Sequence, residues 1–95
     1  MNEFNCAIQK LKTSRGYDLT GVVWAEASAA GSYRLFVKKV GPSGRSSTAQ
    51  EGLFSLTSDE RRLLGTVSLN AEEGDRIIAS LVIMANGQEV CTADL

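Results

Sequence analysis

The chain has 95 residues, 43% of them hydrophobic and 22% charged, with nine Gly, one Pro, two Cys and no His. That length allows a single domain spanning 1–95 with one modest core, and the ordinary charge fraction with a net charge of −1 argues against both disorder and generic polyanion binding. The lack of His removes Ser–His–Asp and Cys–His catalysis, histidine metal sites and a histidine proton switch.

Turn signals recur at short intervals along the chain: Ser14-Arg15-Gly16, Ala30-Gly31-Ser32, Gly41-Pro42-Ser43-Gly44, Thr57-Ser58-Asp59, Glu73-Gly74-Asp75 and Asn86-Gly87. Between them the residues predict seven strands, at 4–12, 17–27, 32–40, 46–55, 61–69, 75–85 and 88–94. In the third strand Tyr33, Leu35 and Val37 share one face, and Arg34, Phe36, Lys38 and Val40 the other. In the fifth the apolar set is Leu63, Val67 and Leu69, interrupted by Gly65; in the sixth it is Ile77, Ala79, Leu81 and Ile83. Period-two alternation with closely spaced turns is the pattern of an all-β protein. Seven antiparallel strands in so short a chain fit an immunoglobulin-like sandwich better than a closed barrel. Asn86-Gly87 is the clearest hairpin signal, because a type I′ turn requires positive φ at both central positions. Only Ala25–Ala30 and Ser58–Leu64 are candidates for helix, each a turn or two long and stopped by Gly31 or Gly65.

No apolar run reaches the roughly 18 residues of a membrane helix, so no membrane insertion is expected. Met1–Lys12 lacks the pattern of a signal peptide, being broken by Glu3, Asn5, Gln9, Lys10 and Lys12. The protein is then either cytosolic or a mature chain whose leader has been removed. Residues 1–50 carry seven basic and three acidic groups, whereas 51–95 carry three basic and eight acidic. Such asymmetry yields either a basic and an acidic face or a mixed solvated surface.

Cys6 and Cys91 fall in the first and last strands, too far apart in sequence for a Cys-x-x-Cys redox or metal motif. Two thiols without histidine make no ordinary structural zinc site, and no metal or other cofactor is expected. The pair has two readings: a disulfide joining neighbouring terminal strands, or two separate buried thiols packing as small apolar groups. Gly41–Ser46 has the glycine content of a phosphate loop but no following Lys or helix, and is expected to be a hairpin turn. Glu72, Glu73 and Asp75 lack the alternating oxygen ligands of a calcium loop and suit a solvated turn. Asp59-Glu60 beside Arg61-Arg62 suits exposed ion pairs, and Trp24 is expected to pack in the core. The face carrying Arg34, Phe36, Lys38 and Val40 is more informative. With Leu35 and Val37 inside, it offers basic groups interleaved with an aromatic to an extended, partly acidic chain. The alternative is a strand whose two faces are both partly covered, with Phe36 buried at an edge.

The stretch Arg34-Leu35-Phe36-Val37-Lys38-Lys39-Val40-Gly41-Pro42-Ser43-Gly44-Arg45-Ser46-Ser47-Thr48-Ala49-Gln50 resembles the basic strand, Ser-Gly loop and Ser/Thr/Gln-rich return strand of the CsgC/CsgH family of curli amyloid inhibitors. Val67-Ser68-Leu69-Asn70, Asp75-Arg76-Ile77 and the strand ending at Asn86-Gly87-Gln88 resemble it further along, so that about half the chain is covered in the correct order. The resemblance implies an immunoglobulin-like sandwich in the periplasm, not an enzyme, that keeps the secreted curli subunit from nucleating amyloid. One branch carries Cys-x-Cys ahead of the basic strand. Gly31-Ser32-Tyr33 stands there in this chain, so thiol activity is unsupported and the CsgH branch fits better.

On this reading the protein acts as a monomer on the unfolded or nascent curli subunit, with Arg34, Lys38 and Arg45 attracting acidic groups and Phe36 supplying apolar contact. Neither cofactor nor nucleic acid is involved. Two rivals stand beside it: a β-sandwich adhesion or accessory module that binds a folded partner, and an oxidoreductase-like domain using Cys6 and Cys91.

Overall fold

The computed structural model describes residues 4–42 and 44–95; Met1–Glu3 and Ser43, the latter in the expected Gly41–Gly44 turn, lie outside the described residues. Seven strands run in chain order: β1 (Phe4–Lys12), β2 (Gly16–Ala25), β3 (Ala29–Gly41), β4 (Gly44–Leu56), β5 (Arg61–Asn70), β6 (Arg76–Ala85) and β7 (Gln88–Asp94). They form two antiparallel sheets, one of three strands ordered β1-β2-β5 and one of four ordered β4-β3-β6-β7. This is the expected all-β sandwich, drawn out to 46 × 24 × 16 Å.

Both candidate helices are absent among the described residues. Ala29 and Ala30 open β3 instead, paired with Leu56 and Ser55. Ser58–Leu64 begins as a turn, with Asp59 at φ 60° and β5 starting at Arg61. Glu60 accepts from the Thr57 amide at 2.9 Å, and the Glu60 amide donates back to the Thr57 carbonyl at 3.1 Å. The Thr57 amide holds the Glu60 carboxyl below its ordinary range, helped by Arg62 3.3 Å away. Side-chain capping of a tight turn thus takes the residues that looked like a helix N-terminus.

The core lies between the sheets. Leu19, Val23 and Ala25 of β2 face Leu35 and Val37 of β3 and Ala79, Leu81 and Ile83 of β6, with Phe54, Leu56 and Val67 completing the cluster. Each large side chain taken fully out of water contributes about 1.5–3 kcal/mol, and every one of these sits where alternation from its neighbours puts it. Two expectations fail. Leu63 is 61% exposed, and Leu64 packs on the core in its place. Thr20 pairs with Thr66 but Val22 with Leu63, so two steps along β2 match three along β5. That bulge inverts the alternation of β5 on one side of Gly65. Trp24 is only half-buried and lies outside the core cluster. It shares the outer face of the smaller sheet with its register partners Asn5 and Arg61, and the Arg61 guanidinium sits 4.3 Å from the ring centroid.

The sheets are tied along both long sides. On one, Cys6 of β1 and Cys91 of β7 form a disulfide. On the other, Gln50 of β4 donates through Nε2 to the Thr66 carbonyl at 2.9 Å. Gly65 permits this approach: a Cβ there would collide with the Gln50 amide oxygen and the Tyr33 hydroxyl. Between β6 and β7, Asn86 (φ 53°) and Gly87 (φ 75°) occupy the left-handed region expected of a type I′ turn.

Two outcomes follow. Asn86-Gly87→Ala-Ala is expected to destabilise the protein by roughly 1 kcal/mol or more per site, because Ala at positive φ is sterically penalised; a denaturant titration reads this as a lower midpoint. The disulfide closes nearly the whole chain, with a sequence separation of 85. Reduction should therefore cost up to about 4 kcal/mol by restoring denatured-state freedom, seen as a lower melting temperature in reductant than in its absence.

Candidate functional site: the outer face of the four-stranded sheet

In antiparallel sheets, residues directly opposite one another project to the same side, about 4.8 Å apart between strands. β3 is central in the larger sheet, with β4 on one side and β6 on the other. Because Leu35 and Val37 are buried, Arg34, Phe36, Lys38 and Val40 must project outward. Pairing with β4 and β6 extends each into a row: Arg45–Val40–Arg76, Ser47–Lys38–Ile78, Ala49–Phe36–Ser80, Glu51–Arg34–Val82 and Leu53–Ser32–Met84. All four residues singled out from the sequence, Arg34, Phe36, Lys38 and Arg45, therefore share one surface.

Their surroundings differ. Arg34 and Lys38 are exposed, and Arg34 Nε lies 3.6 Å from Glu51 Oε1, with both side chains well hydrated. That pairing is of small energetic value, but it offsets the Arg34 charge. Lys38 stands between Ser47 and Ile78, the latter 46% exposed. Phe36 is half-buried between the small residues Ala49 and Ser80 and lies outside the core cluster. The ring is thus partly covered on the outer face, as one alternative held, but in a central strand rather than at an edge. Lys39 turns the other way and donates to the Asn70 carbonyl at 2.7 Å, capping the end of β5. Tyr33, expected to point inward, packs half-buried against the core cluster and reaches the Gly65 seam with its hydroxyl.

Other members of this face escaped the sequence reading. Arg76 is exposed and, opposite Val40, faces Arg45 across β3, making one end of the surface basic with Lys38. At the other end Leu53, 88% exposed, lines with Val82 and Met84 an open hollow of about 630 Å³ beside the Arg34–Glu51 pair. The alternation that puts Ile77, Ala79, Leu81 and Ile83 inside already implied that Arg76, Ile78, Val82 and Met84 point out. Which strand they would neighbour was not implied.

The charge asymmetry along the chain does not become two opposed faces. Pairing sets Arg34 against Glu51, and the acidic turn after β5 lies against the β3–β4 hairpin, Asp75 beside Gly41 and Gly74 beside Pro42. That turn is closed by its own hydrogen bonds, from the Glu72 amide to Asp75 Oδ2 at 2.9 Å and from the Asp75 amide to the Glu72 carbonyl at 3.0 Å. Cys6 and Cys91 are both held in the disulfide, and there is no free cysteine among the described residues.

Comparison with curated protein sequences returned no match. Among solved structures, the solution structure of R. palustris CsgH superposes with a TM-score of 0.78 at 28% identity, covering 100% of this chain and 91% of that one. The E. coli curli protein CsgC superposes with a TM-score of 0.73 at 21% identity over 100% and 96% of the two chains, a likeness of fold. The family model for the CsgH protein matches residues 5–94, every strand but the first residue of β1. The chain belongs to the CsgH family.

Proposed function

We propose that this protein is a periplasmic, non-enzymatic chaperone that keeps an amyloid-forming curli subunit from nucleating before export, acting as a monomer through transient, electrostatically assisted contact. The observation that carries the proposal is the gathering of Arg34, Phe36, Lys38 and Arg45, with Arg76, on the outward side of the larger sheet. Membership in the CsgH family supports a curli-associated task, and the E. coli neighbour of the same fold is itself a curli protein. The disulfide suits an oxidising compartment such as the periplasm.

Amyloid nuclei form when β-prone segments pair and stack. A surface with cations at one end and a half-sunken aromatic at its middle attracts acidic groups of such a segment and gives its apolar groups a brief resting place. Exposed charges bind weakly and reversibly, which favours repeated encounters over a stable complex. No cofactor takes part in this scheme.

The test is a fluorescence aggregation assay on purified curli subunit with this protein at low molar ratio. Wild type should lengthen the lag, and the effect should shrink as salt rises, since charges more than about 8 Å apart are largely screened at physiological ionic strength. Lys38→Glu with Arg45→Glu reverses two exposed charges that lie opposite Ser47 and Val40, so stability should change by under about 0.5 kcal/mol per site while inhibition falls. Arg34 is left in place, because Glu at that position would face Glu51 directly. Full, salt-independent inhibition by the folded double variant would remove this surface from the mechanism. Phe36→Ala should fold, at a cost of about 1 kcal/mol for its partial burial, and inhibit less well than wild type. No lag extension by wild type, together with saturable one-to-one binding of a folded protein, would favour an accessory module for folded partners instead.

A further inference from the structure

The two sheets end in four edge strands: β1 and β5 in the smaller, β4 and β7 in the larger. Open edges invite pairing with other chains, and proteins blunt them with charge, bulges, brevity or a cover. Three of the four are blunted here. β1 carries Lys10 and Lys12 and is tied against β7 by Cys6–Cys91. β5 is bent by its bulge. β7 has seven residues, and its register with β6 slips between Ile83 and Met84.

β4 is neither short nor bulged, and no disulfide ties it. It runs for 13 residues with no Pro and no Lys, and its register with β3 is unbroken from Gly41↔Gly44 to Ala29↔Leu56. Of its two charges, Glu51 is held by Arg34. From Gln50 onward the strand is drawn to β5 by the Gln50–Thr66 hydrogen bond. Before it, Gly44–Ala49 are exposed on both sides of the sheet, including Ser46 and Thr48, whose side chains point to the same side as buried Val37. About 20 Å of strand therefore presents an unshielded ladder of peptide groups.

We propose that the Gly44–Ala49 edge of β4 is a strand-addition site, at which an extended client segment with an acidic group adds as a fifth strand to the larger sheet. The proposal rests on the client-binding reading above and specifies how the client is held. The ladder dictates an extended partner. Ser46, Ser47, Thr48 and Ala49 are small and exposed and so put no bulky side chain in the way of an added strand, and exposed Arg45 selects an acidic neighbour. A strand added here lies alongside the row of Lys38 and Phe36, roughly 10 Å from β3, where the basic face steers its approach. One backbone edge of the captured segment is then occupied by β4, and that edge is closed to an identical copy of the client.

Amide hydrogen exchange on the disulfide-bonded protein, read residue by residue by NMR with freshly prepared curli subunit, tests the proposal. Amides of an edge strand point alternately toward the neighbouring strand and the open side. Strand addition should therefore protect every second amide of Gly44–Ala49 by about tenfold or more; protection without that alternation overturns it. A second arm uses Ser47→Pro and Thr48→Pro. One of these adjacent amides faces the open edge, so one variant should keep the β3–β4 ladder and fold, and that variant should need about fivefold more protein for the same lag extension. A folded Pro variant as potent as wild type overturns the proposal, and if neither folds the exchange pattern decides it. Lag extension by wild type without alternate protection overturns the edge site and keeps the proposed function. Alternate protection without lag extension does the reverse. Protection that grows with protein concentration in the absence of client makes a second copy of this chain the occupant and overturns the assignment to a client.

Discussion

The alternation of β3 is the constraint on which the rest depends. Leu35 and Val37 must leave water, and in a strand whose side chains point to opposite faces this forces Arg34, Phe36 and Lys38 outward. A slip of one residue would bury two charges and expose two of the best-packed side chains of the core. The same burial that fixes the fold therefore fixes the sign and spacing of charge on the outer face. Because β3 is flanked on both sides, that pattern is extended by its neighbours: β4 contributes Arg45 and β6 contributes Arg76 at one end, and Leu53 and Met84 line the other.

The long sides of the sandwich are held in different ways. Where β1 meets β7 the link is covalent. Where β4 meets β5 it is a polar contact between Gln50 and Thr66, made possible by the missing side chain of Gly65. The second tie holds β4 only from Gln50 onward. Beyond it the β3–β4 hairpin leaves Gly44–Ala49 of the outer strand exposed on both sides. A protein with regular open edges risks joining other β-structures. That β4 is regular while β1, β5 and β7 are guarded sets it apart as the place where such joining has been left available.

Charge is distributed by pairing rather than by position in the chain. The acidic second half supplies Glu51 to Arg34, and the turn containing Glu72, Glu73 and Asp75 lies against the hairpin of the basic first half. The basic character of the outer face is accordingly local, concentrated around Lys38, Arg45 and Arg76, and a short distance along the same rows it gives way to an apolar hollow.

The sequence by itself determined the seven strands, the type I′ turn at Asn86-Gly87 and the outward direction of Arg34, Phe36 and Lys38. Each is a local property, set by period-two alternation or by the φ angles one dipeptide tolerates. The candidate face was legible to that extent, and the family's likeness in residues 34–50 pointed to the same strand. Tertiary structure alone decided which strands are neighbours, and through that the rows that bring Arg45 and Arg76 to opposite sides of Val40. It also decided that Leu64 rather than Leu63 turns inward, that Trp24 lies under Arg61 outside the core, and that β4 is an edge. These follow from contacts between residues far apart in the chain. An extra residue in β5 counts as a bulge only against β2, and an edge exists only where no other strand of the fold pairs.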